Sequence, residues 1–296
     1  MTSVQQPAQE FQQSAIKDAQ RDCEVPVCVP DISVLGAQNK SVVIPIHGIG
    51  GPAESMAFLM KQCLGQDVQG IAPHLSGHGR EDPRRYLHTT GVMSGVEDIA
   101  AVVRYAREEL HAAKVTLAGF SMGAFYQLLY LEQARKDEEG KRYPAADHNV
   151  FIDPAPAGFE ASAKVCARHP IAYPMGCARF RTDEIMRTAK DSFVDVDVSQ
   201  DRREQYMKSL QPTSLFAYIQ FMFPHLLGSA YPKKRSLNGS AKIFHATGSR
   251  LIGGKLLDKV KSFFSSDVHV RGFESSHCGM VLGNEQVASA LCEEAQ

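Results

Sequence analysis

The segment that most restricts the fold is Gly119-Phe120-Ser121-Met122-Gly123, which directly follows a short apolar run, residues 114–118, and directly precedes a helical run, residues 124–133. In that setting the pattern G-x-S-x-G predicts a strand, a sharp turn and a helix. The serine hydroxyl then stands clear of the sheet at the helix N-terminus, and the flanking glycines remove side chains that would clash there.

The chain supplies more such units. Ser41-Val42-Val43-Ile44-Pro45-Ile46 is rich in β-branched residues and ends in His47-Gly48-Ile49-Gly50-Gly51, which predicts a buried strand running into a glycine turn. Pro45 is irregular for a central strand, because it has no N–H to give. Short apolar runs recur at 68–72, 114–118, 149–152, 241–245 and 267–270, making six candidate strands. The clearest helix between them covers 95–110, with Val96, Ile99, Ala100, Val103, Ala106 and Leu110 on one face and Ser94 and Glu97 as a capping box. Buried strands alternating with helices predict an α/β fold with a doubly wound, mostly parallel sheet. The alternation breaks over 155–240, where helices are expected at 182–190, 199–210 and 214–223, so this stretch reads as a helical cap inserted over the sheet. Three parts follow: a polar arm, 1–40, with one short helix near 10–21; a core, 41–154 and 241–296; and the cap, 155–240.

Composition narrows the function classes. With 32 Lys+Arg against 33 Asp+Glu over 296 residues, the net charge of −1 argues against nucleic acid as the main partner, which calls for a concentrated basic surface. No apolar run approaches the roughly 18 residues that a membrane-spanning helix requires. The first twenty residues hold six glutamines and no continuous apolar stretch, so they read as neither signal nor anchor, and the cytoplasm is the expected location. Seven scattered cysteines without C-x-x-C spacing predict free thiols rather than a disulfide framework or zinc site; a Cys23–Cys28 bridge is the alternative, and free thiols are the reading for that pair too. Cys278 reads as packing.

At this point the chain resembles the α/β-hydrolase superfamily, over most of residues 41–296. The elbow carries the resemblance, together with His47-Gly48 after the first buried strand, the loop Ala72-Pro73-His74-Leu75-Ser76-Gly77-His78-Gly79-Arg80, and Ser275-Ser276-His277-Cys278-Gly279 after the last strand. The resemblance implies Ser121 as nucleophile, His277 as base, and the backbone N–H groups of Ile49 and Met122 as the oxyanion hole. It implies no metal and no organic cofactor. The 72–80 loop has His74 where the family usually has aspartate and Ser76 where it usually has proline; His74 and His78 are read as structural first and pocket lining second. An alcohol is a weak nucleophile at neutral pH, so Ser121 requires an imidazole to take its proton.

The acid departs from the pattern. Most relatives carry an aspartate after the penultimate strand, but Ala246-Thr247-Gly248-Ser249-Arg250-Leu251 contains no carboxylate. Three substitutes stand open: Asp153 at the end of the 149–152 run, Asp258, and Glu274. Asp153 leads, because some relatives place the acid there and because catalytic groups in open parallel sheets gather at the carboxyl ends of strands.

Within the cap, Phe216, Phe221 and Phe223 lie in a dense apolar run and are candidates for an acyl pocket, with plain packing on the sheet as the other reading. The cap holds twelve Lys+Arg against eight Asp+Glu, which leaves it net +4 and the remainder net −5. The reading is a serine hydrolase acting on an ester or thioester with a hydrophobic acyl group, its partner a small-molecule or lipid-like substrate. An acyltransferase on the same fold and a non-catalytic binding protein are the alternatives.

Overall fold

The computed structural model describes residues 12–18, 20, 23–29, 41–64, 66, 68–79, 89–171, 183, 186–187, 193 and 197–296. Strands β1 (Gln12–Asp18) and β2 (Cys23–Val29) lie in the stretch expected to be a polar arm with a helix. They pair antiparallel with each other, and β2 pairs antiparallel with the short β5 (Ala72–Pro73). The reason is alternation: Val25, Val27 and Val29 bury one face of β2 against the core. Asp18 and Arg104, both buried, fasten β1 to the core through a 2.8 Å ion pair.

The central sheet contains β3 (Ser41–Ile46), β4 (Val68–Gly70), β6 (Lys114–Phe120), β7 (His148–Ile152), β8 (Ala241–Ala246) and β9 (Val268–Phe273). Their order is β4-β3-β6-β7-β8-β9 and every neighbouring pair is parallel. All six expected strands are present, with bounds shifted by a few residues. Pro45 is tolerated because β4 pairs with β3 only over Ser41–Val43, so the proline lies beyond the end of that neighbour.

Helices α1 (Ala57–Leu64), α2 (Val92–Glu108), α3 (Met122–Lys136), α4 (Gly158–Arg168), α5 (Gln200–Ser209), α6 (Leu215–Met222), α7 (Gly254–Lys261), α8 (Gly279–Leu282) and α9 (Glu285–Ala295) complete the described regular helices. They cover the sheet as packed pairs, α1 with α9 and α2 with α3, each pair also touching β3. Helix α2 starts three residues before the expected point, so Ser94 and Glu97 form no capping box. Its first N–H, that of Val92, is satisfied by Gln220 Oε1 of α6 at 2.9 Å, and Glu97 accepts from Arg142 and Tyr143 instead. A tertiary partner has taken the role of a local cap.

Between β7 and β8 the chain forms an insert. The helix expected at 182–190 falls largely outside the described residues, while α5 and α6 match the other two. The insert is stitched to the loops beyond β3 and β5: Gln211 N–H donates to Gly50 O at 2.8 Å, Gly79 N–H to Pro212 O at 3.1 Å and Ser214 N–H to Gly77 O at 2.6 Å. Cys23 and Cys28 lie five residues apart on one extended strand, so they do not bridge; both are thiols. Among the described residues no helix is long and apolar enough to cross a membrane.

Candidate active site

The strand order fixes where a site can form. From β3 the chain steps outward to β4, then returns to β6 on the other side of β3. The loops leaving β3 and β6 therefore diverge and open a crevice at the carboxyl edge of the sheet. Ser121 is the single residue between β6 and α3, and it sits at φ 53°, ψ −119°. Such a conformation typically costs about 1–3 kcal/mol in a non-glycine residue, and persists only when its surroundings over-determine it. Here they do: Ser121 N–H donates to Ile152 O at 3.1 Å, and Ser121 O accepts from Ala124 and Ala155 at 3.1 and 3.0 Å. The flanking glycines are forced by close approach. A Cβ on Gly123 would lie 2.2 Å from Ile46 O, and one on Gly119 would lie 2.8 Å from Ala124 Cα.

His277, in the loop after β9, places Nε2 2.9 Å from Ser121 Oγ and Nδ1 2.6 Å from Asp153 Oδ2. Asp153 follows β7 directly and is fully buried at φ 39°. Its other oxygen accepts from His245 Nδ1 at 2.9 Å and from Ala246 N–H at 3.1 Å. Burial by itself would raise the Asp153 carboxyl. The hydrogen bonds from His245 and His277, with the His277 charge and the Ser249 hydroxyl, outweigh burial and hold it below the ordinary carboxylate range. An ionised carboxylate only accepts, so both histidines donate from Nδ1, and a neutral His277 is left with Nε2 free to accept the Ser121 proton. Of the three carboxylates open in the sequence, Asp153 is the one beside His277. Asp258 is 73% exposed on α7 beside Lys261, and Glu274 faces solvent.

The loop after β3 runs alongside the elbow, since a Cβ on Gly48 would sit 3.1 Å from Ser121 Cβ. Gly50 N–H donates to Thr213 Oγ1 and Gly51 N–H to Gly48 O, leaving the N–H of Ile49 outside the loop's own bonding. Met122 is the first residue of α3, where an N–H has no intrahelical acceptor. Buried His47 shapes this loop. Burial pushes its imidazole down to about 4, so it is neutral, donating from Nδ1 to Gly48 O at 3.0 Å and accepting Leu75 N–H on Nε2. His78 is enclosed between the rings of His47 and Tyr126, and His74 Nε2 lies 3.4 Å from Glu54, which are structural settings for both.

The three phenylalanines separate. Phe221 is buried in the core, its ring against Phe125 and Tyr218. Phe216 and Phe223 are each 43% exposed, the first over Gly91 and the second beside His225. The rings that stand against His277 are Phe120 and Phe193, at 4.8 and 6.3 Å between centroids. Sequence reasoning missed His245, Ser249, Phe193 and Asp197, whose carboxylate accepts from Ser275 and Ser276 beside His277. The missing carboxylate at 246–251 was the one available signal: polar donors, rather than an acid, had to fill that position.

A family profile described as serine aminopeptidase, S33, matches residues 37–155, the stretch that carries the β3 loop, the elbow and Asp153. A comparison with curated proteins finds no match. Among solved structures, an esterase from Exiguobacterium antarcticum superposes with a TM-score of 0.67 at 16% identity, covering 95% of this chain and 98% of that one. An epoxide hydrolase from Vigna radiata gives 0.64 at 14% identity with 97% and 98% covered, and a thermophilic esterase from Thermogutta terrifontis gives 0.62 at 14% with 95% and 97% covered. Identities this low speak to fold, and the parallel sheet order, the strained elbow and the profile match agree with them. The chain has the fold of the α/β-hydrolases, and its residues 37–155 resemble the serine aminopeptidase S33 family.

Proposed function

We propose that the chain is a serine hydrolase that cleaves a carboxylic ester or thioester through an acyl-enzyme. The observation that carries this reading is the continuous relay from Ser121 Oγ through His277 to buried, ionised Asp153, with both contacts at hydrogen-bond length. In the proposed reaction His277 Nε2 takes the hydroxyl proton as Ser121 Oγ attacks the acyl carbonyl. Asp153 stabilises the imidazolium formed during attack. The N–H groups of Ile49 and Met122 receive the developing oxyanion, a contribution typically of about 10²- to 10³-fold. His277 then protonates the leaving alcohol or thiol, and water, activated by the same imidazole, releases the acid.

The acyl group is read as hydrophobic, with exposed Phe216 and Phe223 as its contacts from the insert. The test is labelling by a fluorophosphonate, which captures an activated serine. Wild type should label at Ser121, and Ser121→Ala should not, with turnover of acyl esters falling by about 10⁶-fold. A folded wild type that neither labels nor hydrolyses any acyl ester or thioester of graded chain length would make the chain a non-catalytic binding protein. Faster transfer to an added alcohol or thiol than to water would make it an acyltransferase.

A further inference from the structure

The loop Ser275-Ser276-His277-Cys278-Gly279 is held from two sides: from the core, where Gly248 N–H donates to Ser275 O at 3.1 Å and His277 bonds Ser121 and Asp153, and from the insert. Asp197 Oδ2 accepts from Ser275 Oγ at 2.8 Å and from Ser276 N–H at 2.7 Å, and Asp197 Oδ1 accepts from Ser276 Oγ at 2.7 Å. On the other side of the histidine, Cys278 N–H donates to Phe193 O at 2.9 Å, and Cys278 Sγ lies 3.8 Å from the Tyr206 hydroxyl of α5. Gly279 is required by this approach, since a Cβ there would lie 2.1 Å from Asp197 Oδ2. The Phe193 ring stands 6.3 Å from the imidazole. One carboxylate thus satisfies three donors in the two residues before His277, and neither Asp197 nor Phe193 touches Ser121 or Asp153 in any described bond.

We propose that Asp197 is a positioning residue: by binding Ser275 and Ser276 from the insert, it holds the loop that aims His277 at Ser121, so that seating of the insert and alignment of the base are one event. The proposal rests on the reading of Ser121, His277 and Asp153 as the acyl-transfer group. Charge supports the geometry: against the opposing effect of burial, the donors from Ser276 and Ser275 hold the Asp197 carboxyl below its ordinary range, so it accepts at all three contacts as a carboxylate. With the carboxylate gone, three donors lose their acceptor and the loop relaxes toward water. The Nε2 to Oγ contact of 2.9 Å is the dimension that suffers, and a base displaced by about 1 Å can cost about 10²-fold in rate.

The experiment uses the full chain. Active sites are counted by the end point of fluorophosphonate labelling, and kcat per labelled site and KM are measured with a chromogenic acyl ester for wild type, Asp197→Ala, Asp197→Asn and the double variant Ser275→Ala/Ser276→Ala. Asp197→Ala should lower kcat per labelled site by about 10- to 100-fold while KM moves less than about 3-fold. Asp197→Asn, which keeps one accepting oxygen, should fall between. The double variant keeps the backbone bond from Ser276, so it should fold even where Asp197→Ala does not, with a smaller loss of the same kind. A purely structural Asp197 would reduce the number of labelled sites and leave kcat per site unchanged. If kcat per site in Asp197→Ala, or in the double variant where that one fails to fold, stays within about two-fold of wild type, the proposal is overturned while the serine reading stands. If wild type itself does not label, the serine reading fails first and the proposal falls with it.

Discussion

Asp153 is the residue on which the most physics converges. It is buried, lies at positive φ, and binds two imidazoles and a backbone N–H. Replacing it with asparagine keeps the shape and removes the charge, and it gives His277 Nδ1 an amide in place of a carboxylate. Turnover should fall by up to about 10⁴-fold, measured beside Asp258→Asn and Glu274→Gln, which should stay within a few-fold of wild type. The same carboxyl leaves a mark on stability. Its folded-state pKa lies below the unfolded value of about 3.9, so its contribution is present above that value and is lost as pH falls through the folded one. Urea unfolding between about pH 5 and 2 should therefore show a flatter pH dependence for Asp153→Asn than for wild type. His245 donates to the other oxygen of the same carboxylate, and removing that donor lets the Asp153 pKa rise. In His245→Ala the acid limb of kcat/KM should move to higher pH, with turnover at neutral pH reduced by about 10- to 150-fold, the scale of one hydrogen bond to a charged group. An unmoved acid limb would show that His245 is a bystander.

At the scale of elements, the packing of α6 against α3 divides residues that share one sequence pattern. Phe216, Phe221 and Phe223 lie within eight residues of each other, yet Phe221 points into the core against Phe125 while the other two are 43% exposed. Phe221→Ala should cost about 3–5 kcal/mol in denaturant unfolding, the usual range for a buried ring. Phe216→Ala and Phe223→Ala should leave stability nearly unchanged and shift acyl chain-length preference, by about 1 to 3 kcal/mol per methylene if they line the pocket. Unchanged preference in both would place acyl recognition elsewhere, for which the rings of Phe120 and Phe193 at His277 are the next to test. The helical turn that begins α3 is bound more tightly still. Gly123→Ala would drive a Cβ against Ile46 O, and the expected result is loss of the folded state rather than a milder enzyme.

Across the whole molecule, the N-terminal strands close over the edge formed by β5 and are fastened by the Asp18 and Arg104 pair. Removing one member of a buried pair leaves the other charge uncompensated, which typically costs about 3–5 kcal/mol. Asp18→Ala should therefore lower unfolding stability on that scale while leaving kcat per labelled site intact, because neither member of the pair bonds Ser121, His277 or Asp153 in any described contact. The six strands of the central sheet, the elbow and the histidine loop were all legible in sequence. Each is written within about ten consecutive residues, as a buried run, a glycine pair or a short polar turn, and local backbone preference and burial pattern decide such segments together. What could not be read were the contacts that join distant segments. Asp153 meets His277 across 124 residues, His245 meets Asp153 across 92, and Asp197 meets Ser276 across 79. The choice of Asp153 over Asp258 and Glu274, the second imidazole, the hold of the insert on the base, the Gln220 cap of α2 and the conversion of a polar arm into strands were decided only when the chain closed. A hydrogen bond or buried ring depends on which surfaces meet in space, and local propensity carries no term for that.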